Sequence, residues 1–239
     1  MREFTARYRG TWLGVVWTFL NPLFLMATYT LIFSVYFQSG INDYVVHLCS
    51  GLLPWIWFSS SLLDASSSIV SGGNLIKKVV FPAEVLPIVS VLTNLMTFLM
   101  SLPLLMLFGI AFHRPVGMAI IALPLVLGIQ FLLSSGLAFI FSALCVCYRD
   151  VKHVLGNALT LWFFLTPITY PIEQIPVPFR LILRLNPMAL LVEAYQDIFY
   201  RQCFPNITHL AFVAVVAIFG CVLGSVIFHH YRDSFAAEI

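Results

Sequence analysis

RYRGTWLGVVWTFLNPLFLMATYTLIFSVYF, residues 7–37, decides what kind of protein this is: arginines lead directly into a long apolar run, 12–37. A secretory signal also starts with positive charge, but its apolar core is roughly 7–15 residues long and ends at a small-residue cleavage site. The run 12–37 has no Ala-x-Ala exit. At ~1.5 Å per residue it reaches roughly 39 Å as a helix, more than the ~30 Å hydrocarbon thickness of a bilayer. It reads as a retained transmembrane helix, tilted or starting in the interface, with Tyr8, Trp12 and Trp17 near the headgroups.

The rest of the chain agrees. Apolar residues make up 61% of the sequence and charged residues 9%, with a mean hydropathy of +0.98, outside the usual range for a soluble domain. In hydrocarbon every backbone polar group needs an internal partner, so only helices or a closed barrel can span. Long apolar runs without period-2 alternation point to helices. The expected class is therefore an all-α integral membrane protein with one transmembrane domain over residues 1–239. Six transmembrane helices are expected at about 12–37, 44–63, 84–112, 117–147, 154–170 and 209–231. The serine- and glycine-rich stretch after residue 63 reads as a loop with a short amphipathic helix. Pro54 suggests a kink in the second span.

Basic residues set the orientation. Arg2, Arg7, Arg9, Lys77, Lys78, Arg149, Lys152 and Arg232 fall on one side, and Arg114, Arg180, Arg184 and Arg201 on the other. The positive-inside rule then places both termini in the cytoplasm. The net charge of +2 and the lack of a basic tract give no reason to expect a nucleic-acid partner. The five cysteines are scattered and suggest neither a disulfide frame nor a metal site.

Between the fifth and sixth spans, 171–201 is too apolar for a simple linker. Arg180 and Arg184 are spaced i,i+4, and Asn186-Pro187 makes an N-cap and first position for a second helix. From Met188 onward, Leu191, Tyr195 and Ile198 share one face, with Glu193, Gln196, Asp197 and Tyr200 on others. Two readings stay open here: an outer re-entrant helical hairpin that dips into the membrane, or an amphipathic hairpin lying on its surface.

Catalytic signatures are missing. No ionisable residue stands near the middle of an expected span, which disfavours a proton-coupled transporter. There is no P-loop, no HExxH and no acidic pair suited to Mg²⁺. An enzyme acting on a polyprenyl-linked glycan is the weaker alternative, and catalytic residues and metal ligands are expected to be none.

Five blocks carry a family likeness: RYRGTWLGVVWTFLNP, SGLLPWIWFSSS, LIKKVVFPAEVLP, YRDVKHVLGNALTLWFFLTPITYP and LNPMALLVEAYQDIFY. In this order they resemble the membrane subunit of ABC exporters for bacterial surface polysaccharides, which include the permeases for O-antigen, teichoic acid and capsule. The resemblance implies a homodimer paired with two copies of a separate nucleotide-binding ATPase that binds ATP and Mg, with no cofactor in this chain. It also implies a lipid-linked glycan as cargo and the bacterial cytoplasmic (inner) membrane, with its lipid, as the setting. A drug or a small lipid is the alternative cargo. Six residues precede the Arg-Tyr-Arg block, where the family has a longer amphipathic helix, so a shorter N-terminal contact with the ATPase is expected.

Three groups of residues follow. Tyr29, Phe33, Tyr36 and Phe37 on the first span and Trp162, Phe163 and Tyr170 on the fifth are each expected on one helix face, as sugar-binding channel lining or as a lipid-facing stripe. The resemblance places a coupling helix for the ATPase within 69–82, with Leu75, Lys77, Lys78 and Phe81, and Tyr148, Arg149 and Asp150 form a second candidate contact. An interfacial helix meeting anionic lipid is the competing reading. Arg180, Arg184, Asn186, Pro187, Glu193 and Asp197 are expected to form an outer gate, with ion pairs between the two hairpin helices. Gly10-xxx-Gly14 and Gly220-xxx-Gly224 permit close helix approach.

Overall fold

The structure, a computed structural model, describes residues 17–32, 41–73, 82–114, 117–172 and 175–238. Among these every regular element is helical: α1 (Trp17–Thr30), α2 (Tyr44–Ser71), α3 (Val85–Ala111), a 3-10 turn (Met118–Ala122) leading into α4 (Leu123–Cys147), α5 (Val151–Phe164), α6 (Val177–Leu185), α7 (Pro187–Gln196), a π segment (Asp197–Arg201) and α8 (Ile207–Glu238). Four of these, α2, α3, the rod Met118–Cys147 and the Ile207–Arg232 part of α8, are long and apolar enough to cross a membrane. The chain is a multi-pass helical membrane protein.

Three expected boundaries change. The fifth span is expected to be helical over 154–170, but α5 covers Val151–Phe164 and 165–170 is irregular. Its 14 residues make about 21 Å of helix, less than the hydrocarbon thickness. Pro167 gives the local reason, because the residue before a proline is driven out of the helical region.

The second change is that α2 continues through the expected loop to Ser71 and passes Pro54 without ending. Its serines do not compete with the helix. Ser61, Ser66 and Ser68 donate back to the carbonyls of Trp57, Leu63 and Ala65 at 2.6, 2.8 and 2.8 Å, which satisfies the hydroxyls within the helix itself. Asp64 therefore lies inside α2, where its Oδ2 accepts from Asn94 Nδ2 at 2.8 Å. The third change is that α8 runs beyond residue 231 to Glu238.

The chain divides into two compact units, and α2, α3 and the 3-10–α4 rod contribute to both. One unit takes the described residues of Met1–Trp55, Met96–Leu123 and Thr166–Pro205, and the other those of Ile56–Leu95, Pro124–Leu165 and Asn206–Ile239. The first is built around α7 and the π segment, where Met188, Leu191, Tyr195 and Ile198 are fully buried and the Tyr195 ring meets Phe98 edge-on at 5.9 Å.

In the second unit α4 and α8 touch through their backbones. A Cβ on Gly136 would come 2.6 Å from Gly220 C and Cys221 N, and a Cβ on Gly224 would collide with Gly136 O. The Gly220-xxx-Gly224 spacing thus serves packing within the chain, and Gly136 is the partner that the spacing did not reveal. Gly10 and Gly14 lie outside the described residues.

Candidate functional site

The second unit gathers the residues that flank the expected coupling segment. Tyr148, Arg149 and Asp150 form an exposed turn between α4 and α5, closed by Val151 N donating to Tyr148 O at 3.1 Å. Lys152 donates from Nζ to Ser67 Oγ at 3.2 Å, which sets this turn beside the last turns of α2. Glu84, just before α3, accepts from Arg232 Nη1 at 3.1 Å and lies 3.7 Å from His229 Nε2. Ile69 and Ala83 share one apolar cluster with Ala143, Val146 and Phe228. Residues on both sides of 74–81 are therefore held by α4 and α8. Leu75, Lys77, Lys78 and Phe81 themselves lie outside the described residues.

The aromatic residues of the fifth span do not form the expected stripe. Trp162 and Phe163 are neighbours on α5 and point differently: Phe163 is buried, while Trp162 is half-buried and edge-on to Phe58 at 5.4 Å. Tyr170 lies beyond the end of α5, half-buried in irregular backbone, and so leaves the helix face assigned to it. Tyr29 is half-buried on α1, and Phe33, Tyr36 and Phe37 lie outside the described residues.

The irregular stretch 166–170 is the chemical centre of the first unit. Backbone that leaves a helix has N–H and C=O groups that need partners wherever they are buried. Gln196 Nε2 donates to Pro167 O at 3.1 Å and also lies 3.5 Å from His47 Nε2. The Tyr44 hydroxyl donates to Thr169 O at 3.1 Å. Asn186 Nδ2 donates to Thr166 Oγ1 at 3.3 Å, while Asn186 Oδ1 accepts from Met188 N and Ala189 N at 3.0 and 3.3 Å. Asn186 is thus the N-cap of α7, with Pro187 at the first position, as the sequence predicts.

The amphipathic reading of the second hairpin helix does not hold. Gln196 and Asp197 are buried along with the apolar residues, so α7 is enclosed on nearly every side. Arg201 Nη1 bonds Asp197 Oδ1 at 2.8 Å and lies 3.9 Å from Glu193 Oε1, all on α7 and the π segment. Arg180 donates from Nε to Ile175 O at 2.9 Å, and Arg184 is exposed in the last turn of α6.

The family described as ABC-2 type transporter matches residues 1–200. The chain belongs to the ABC-2 type transporter family. It is 41% identical to the O-antigen export system permease protein RfbA of Myxococcus xanthus, over 100% of this chain and 92% of that protein. A Klebsiella pneumoniae protein of the same name is 30% identical, over 98% and 91% of the two chains. The polysialic acid transport protein KpsM of Escherichia coli is 23% identical over 92% and 87%.

In this ABC-2 type transporter, four contributors to structure escaped the sequence reading: Gln196, Tyr44, Gly136 and Arg114. Pro167 was an available signal for the first two, since a helix broken at a proline leaves carbonyls that need donors from elsewhere. Nothing local marked Gly136 as the partner of α8. Arg114, by sequence a turn residue and an orientation marker, bonds Asp43 through Nε at 2.6 Å and donates from Nη1 to Tyr200 O at 2.9 Å.

Proposed function

We propose that this chain is the permease subunit of an ATP-driven exporter that moves a lipid-linked polysaccharide of the O-antigen, teichoic acid or capsule type across the bacterial cytoplasmic membrane. The observation that carries this reading is the likeness to an O-antigen export permease along essentially the whole of both chains. Two copies of the chain would form the pathway, joined by two ATPase subunits that bind ATP and Mg and do the hydrolysis. Leu75, Lys77, Lys78 and Phe81, with the turn Tyr148–Arg149–Asp150, would meet the ATPase. The exposure of that turn, and the grip of α4 and α8 on the residues flanking 74–81, support a rigid input of force there. The half-buried aromatic residues Tyr29, Trp162 and Tyr170, with Phe33, Tyr36 and Phe37, would line the path in the outer half. The pair α6–α7, re-entrant between a fifth and a sixth span, would close the outer end at rest.

Deleting the gene should abolish surface glycan while its lipid-linked precursor accumulates inside the cell, and the purified chain should bring down an ATPase with a P-loop. Normal surface glycan in the deletion strain, with a changed sensitivity to a drug or altered lipid content, would give the cargo to the alternative class.

Both termini are proposed to be cytoplasmic and the loop before α8 external, and native Cys203 tests this. It is exposed in that loop. Partial burial, then the Asp197 carboxylate, push its thiol above the ordinary range, with Arg201 pulling the other way. A raised thiol pKa means less thiolate at neutral pH. In spheroplasts a membrane-impermeant maleimide should therefore modify Cys203 from outside, slowly at pH 7 and faster as the pH rises towards 9. Modification only after permeabilisation would invert the topology.

A further inference from the structure

We propose that Arg114 is a positioning residue of the outer rim: it pins the connection between α7 and α8 to the turns that begin α2 and end α3, and its release is the step that lets the rim open. This rests on the exporter reading for its meaning, but its geometry is independent of any cargo.

Three connections meet on one guanidinium. From the turn before α2, Asp43 Oδ2 accepts from Arg114 Nε at 2.6 Å. From the π segment, Tyr200 O accepts from Nη1 at 2.9 Å, and the Tyr200 ring lies under the guanidinium carbon at 4.5 Å. The Tyr200 hydroxyl then donates to Asn42 O at 2.9 Å, which closes a ring of contacts back to the turn before α2. The other face of Tyr200's surroundings is His47, edge-on at 5.1 Å.

Local backbone chemistry aims these groups. At the end of α3, Arg114 N donates to Gly109 O at 2.7 Å and His113 N to Ile110 O at 3.1 Å, the paired bonds of a Schellman cap with a left-handed residue at its corner. His113 occupies that corner at φ 57°, and Gly109 is needed because a Cβ there would come 2.8 Å from Arg114 O. Asp43 at φ 51° and Gln202 at φ 58° hold the other two connections in the same uncommon left-handed region. Non-glycine residues in sparsely populated conformations persist only where their surroundings over-determine them, and such residues gather at clamps and switches.

The π segment explains why an arginine is needed. A helix leaves its last carbonyls without partners inside the helix, and a cation is favoured there. Arg114 supplies both donor and charge to Tyr200 O. A guanidinium can bond Asp43 and Tyr200 O from two different nitrogens of a rigid fork, whereas the single ammonium of lysine offers no such fork.

The clamp is also built to let go. The side chains of Arg114 and Asp43 are 29% and 30% exposed, so water or the hydroxyls of an arriving glycan reach each contact and can replace it. A fully buried pair would have no such exchange route.

The test uses the permease–ATPase complex in proteoliposomes without glycan, comparing wild type with Arg114→Lys, Arg114→Gln and Asp43→Asn. Two quantities are read at rest: ion conductance, and the rate at which impermeant maleimide modifies Cys203, located by mass spectrometry. Both should rise in all three variants. The resting conductance should increase about tenfold in Arg114→Gln, which corresponds to ~1.4 kcal/mol of lost closure. Failure of Arg114→Lys to rescue is the mark of the fork, since lysine keeps the charge. Wild-type conductance and labelling in assembled Arg114→Gln and Arg114→Lys would overturn the proposal. Faster labelling with unchanged conductance would overturn it too, leaving Arg114 as a brace without a gating role. Should Arg114→Gln not assemble, Asp43→Asn decides by the same two readings. Wrong cargo would appear in the deletion strain and leave both readings untouched, so the two proposals fail separately.

Discussion

Replacing Gly136 by alanine or leucine should prevent α4 and α8 from meeting, and Gly136→Leu should leave little or no folded protein. The added Cβ meets backbone on the facing helix, at 2.6 Å from Gly220 C and Cys221 N and 2.8 Å from Cys221 Cα. Backbone cannot rotate aside as a side-chain tip can, so the helices must separate. Overpacking that side chains can absorb costs ~1–3 kcal/mol, and this site starts at the upper end of that range. At ~2–4 °C per kcal/mol for a chain of this size, Gly136→Ala should lower the melting temperature by about 6–12 °C. Gly220→Ala is the control on the same interface, because its own Cβ meets nothing within 4 Å, and it should melt near the wild-type temperature. Thermal unfolding of the two purified variants checks the contrast. Equal melting temperatures for Gly136→Ala and Gly220→Ala would mean that the helices do not touch as described.

Gln196→Leu should destabilise the first unit by a different route, the loss of a donor rather than a collision. Gln196 is buried, and its amide supplies a donor to Pro167 O at 3.1 Å in backbone that has left the helix. Leucine keeps the approximate volume and removes the donor. Leaving a buried carbonyl without its partner costs ~1–3 kcal/mol, which should appear as a fall of about 2–12 °C in melting temperature. Gln196→Glu should be worse, since a carboxylate would face both the carbonyl and a buried environment. Tyr44→Phe withdraws the donor from Thr169 O and should give a fall of the same kind in the same unit. A wild-type melting temperature for Gln196→Leu would show that the break at Pro167 is satisfied by other means.

The sites read from sequence fared according to how local their cause is. Asn186 as an N-cap was legible because the cap joins residues two and three apart, and the bonds to Met188 N and Ala189 N are present. The end of α5 at Phe164 was not legible because Thr166–Tyr170 carries no charged residue, and the lack of charge alone does not separate a helix from irregular backbone with buried partners. The serines of 66–68 read in the opposite sense, as a loop. Serine is common in loops, yet in α2 each of three hydroxyls closes on a carbonyl three or four residues back. The amphipathic pattern assigned to α7 failed because Gln196 and Asp197 were counted as solvent-facing. A polar residue with a buried partner leaves the same letter in the sequence as one in water.

The sequence by itself determined the class of this protein: a helical chain for a membrane, with long apolar runs, polar turns, a capped Asn186-Pro187 bend and a Gly220-xxx-Gly224 surface ready for close approach. Each of those follows from composition or from chemistry within about four residues, the range over which a helix brings side chains together. Only the tertiary structure decided which distant group completes each arrangement. Gln196 reaches Pro167 across 29 positions, Arg114 reaches Asp43 across 71 and Tyr200 across 86, and Tyr44 reaches Thr169 across 125. Such bonds form because backbone that leaves a helix, and a charge held partly out of water, need partners that their neighbours in sequence do not supply, so the fold brings a donor from elsewhere in the chain. Nothing in the local sequence of Pro167 or Tyr200 names the donor that arrives.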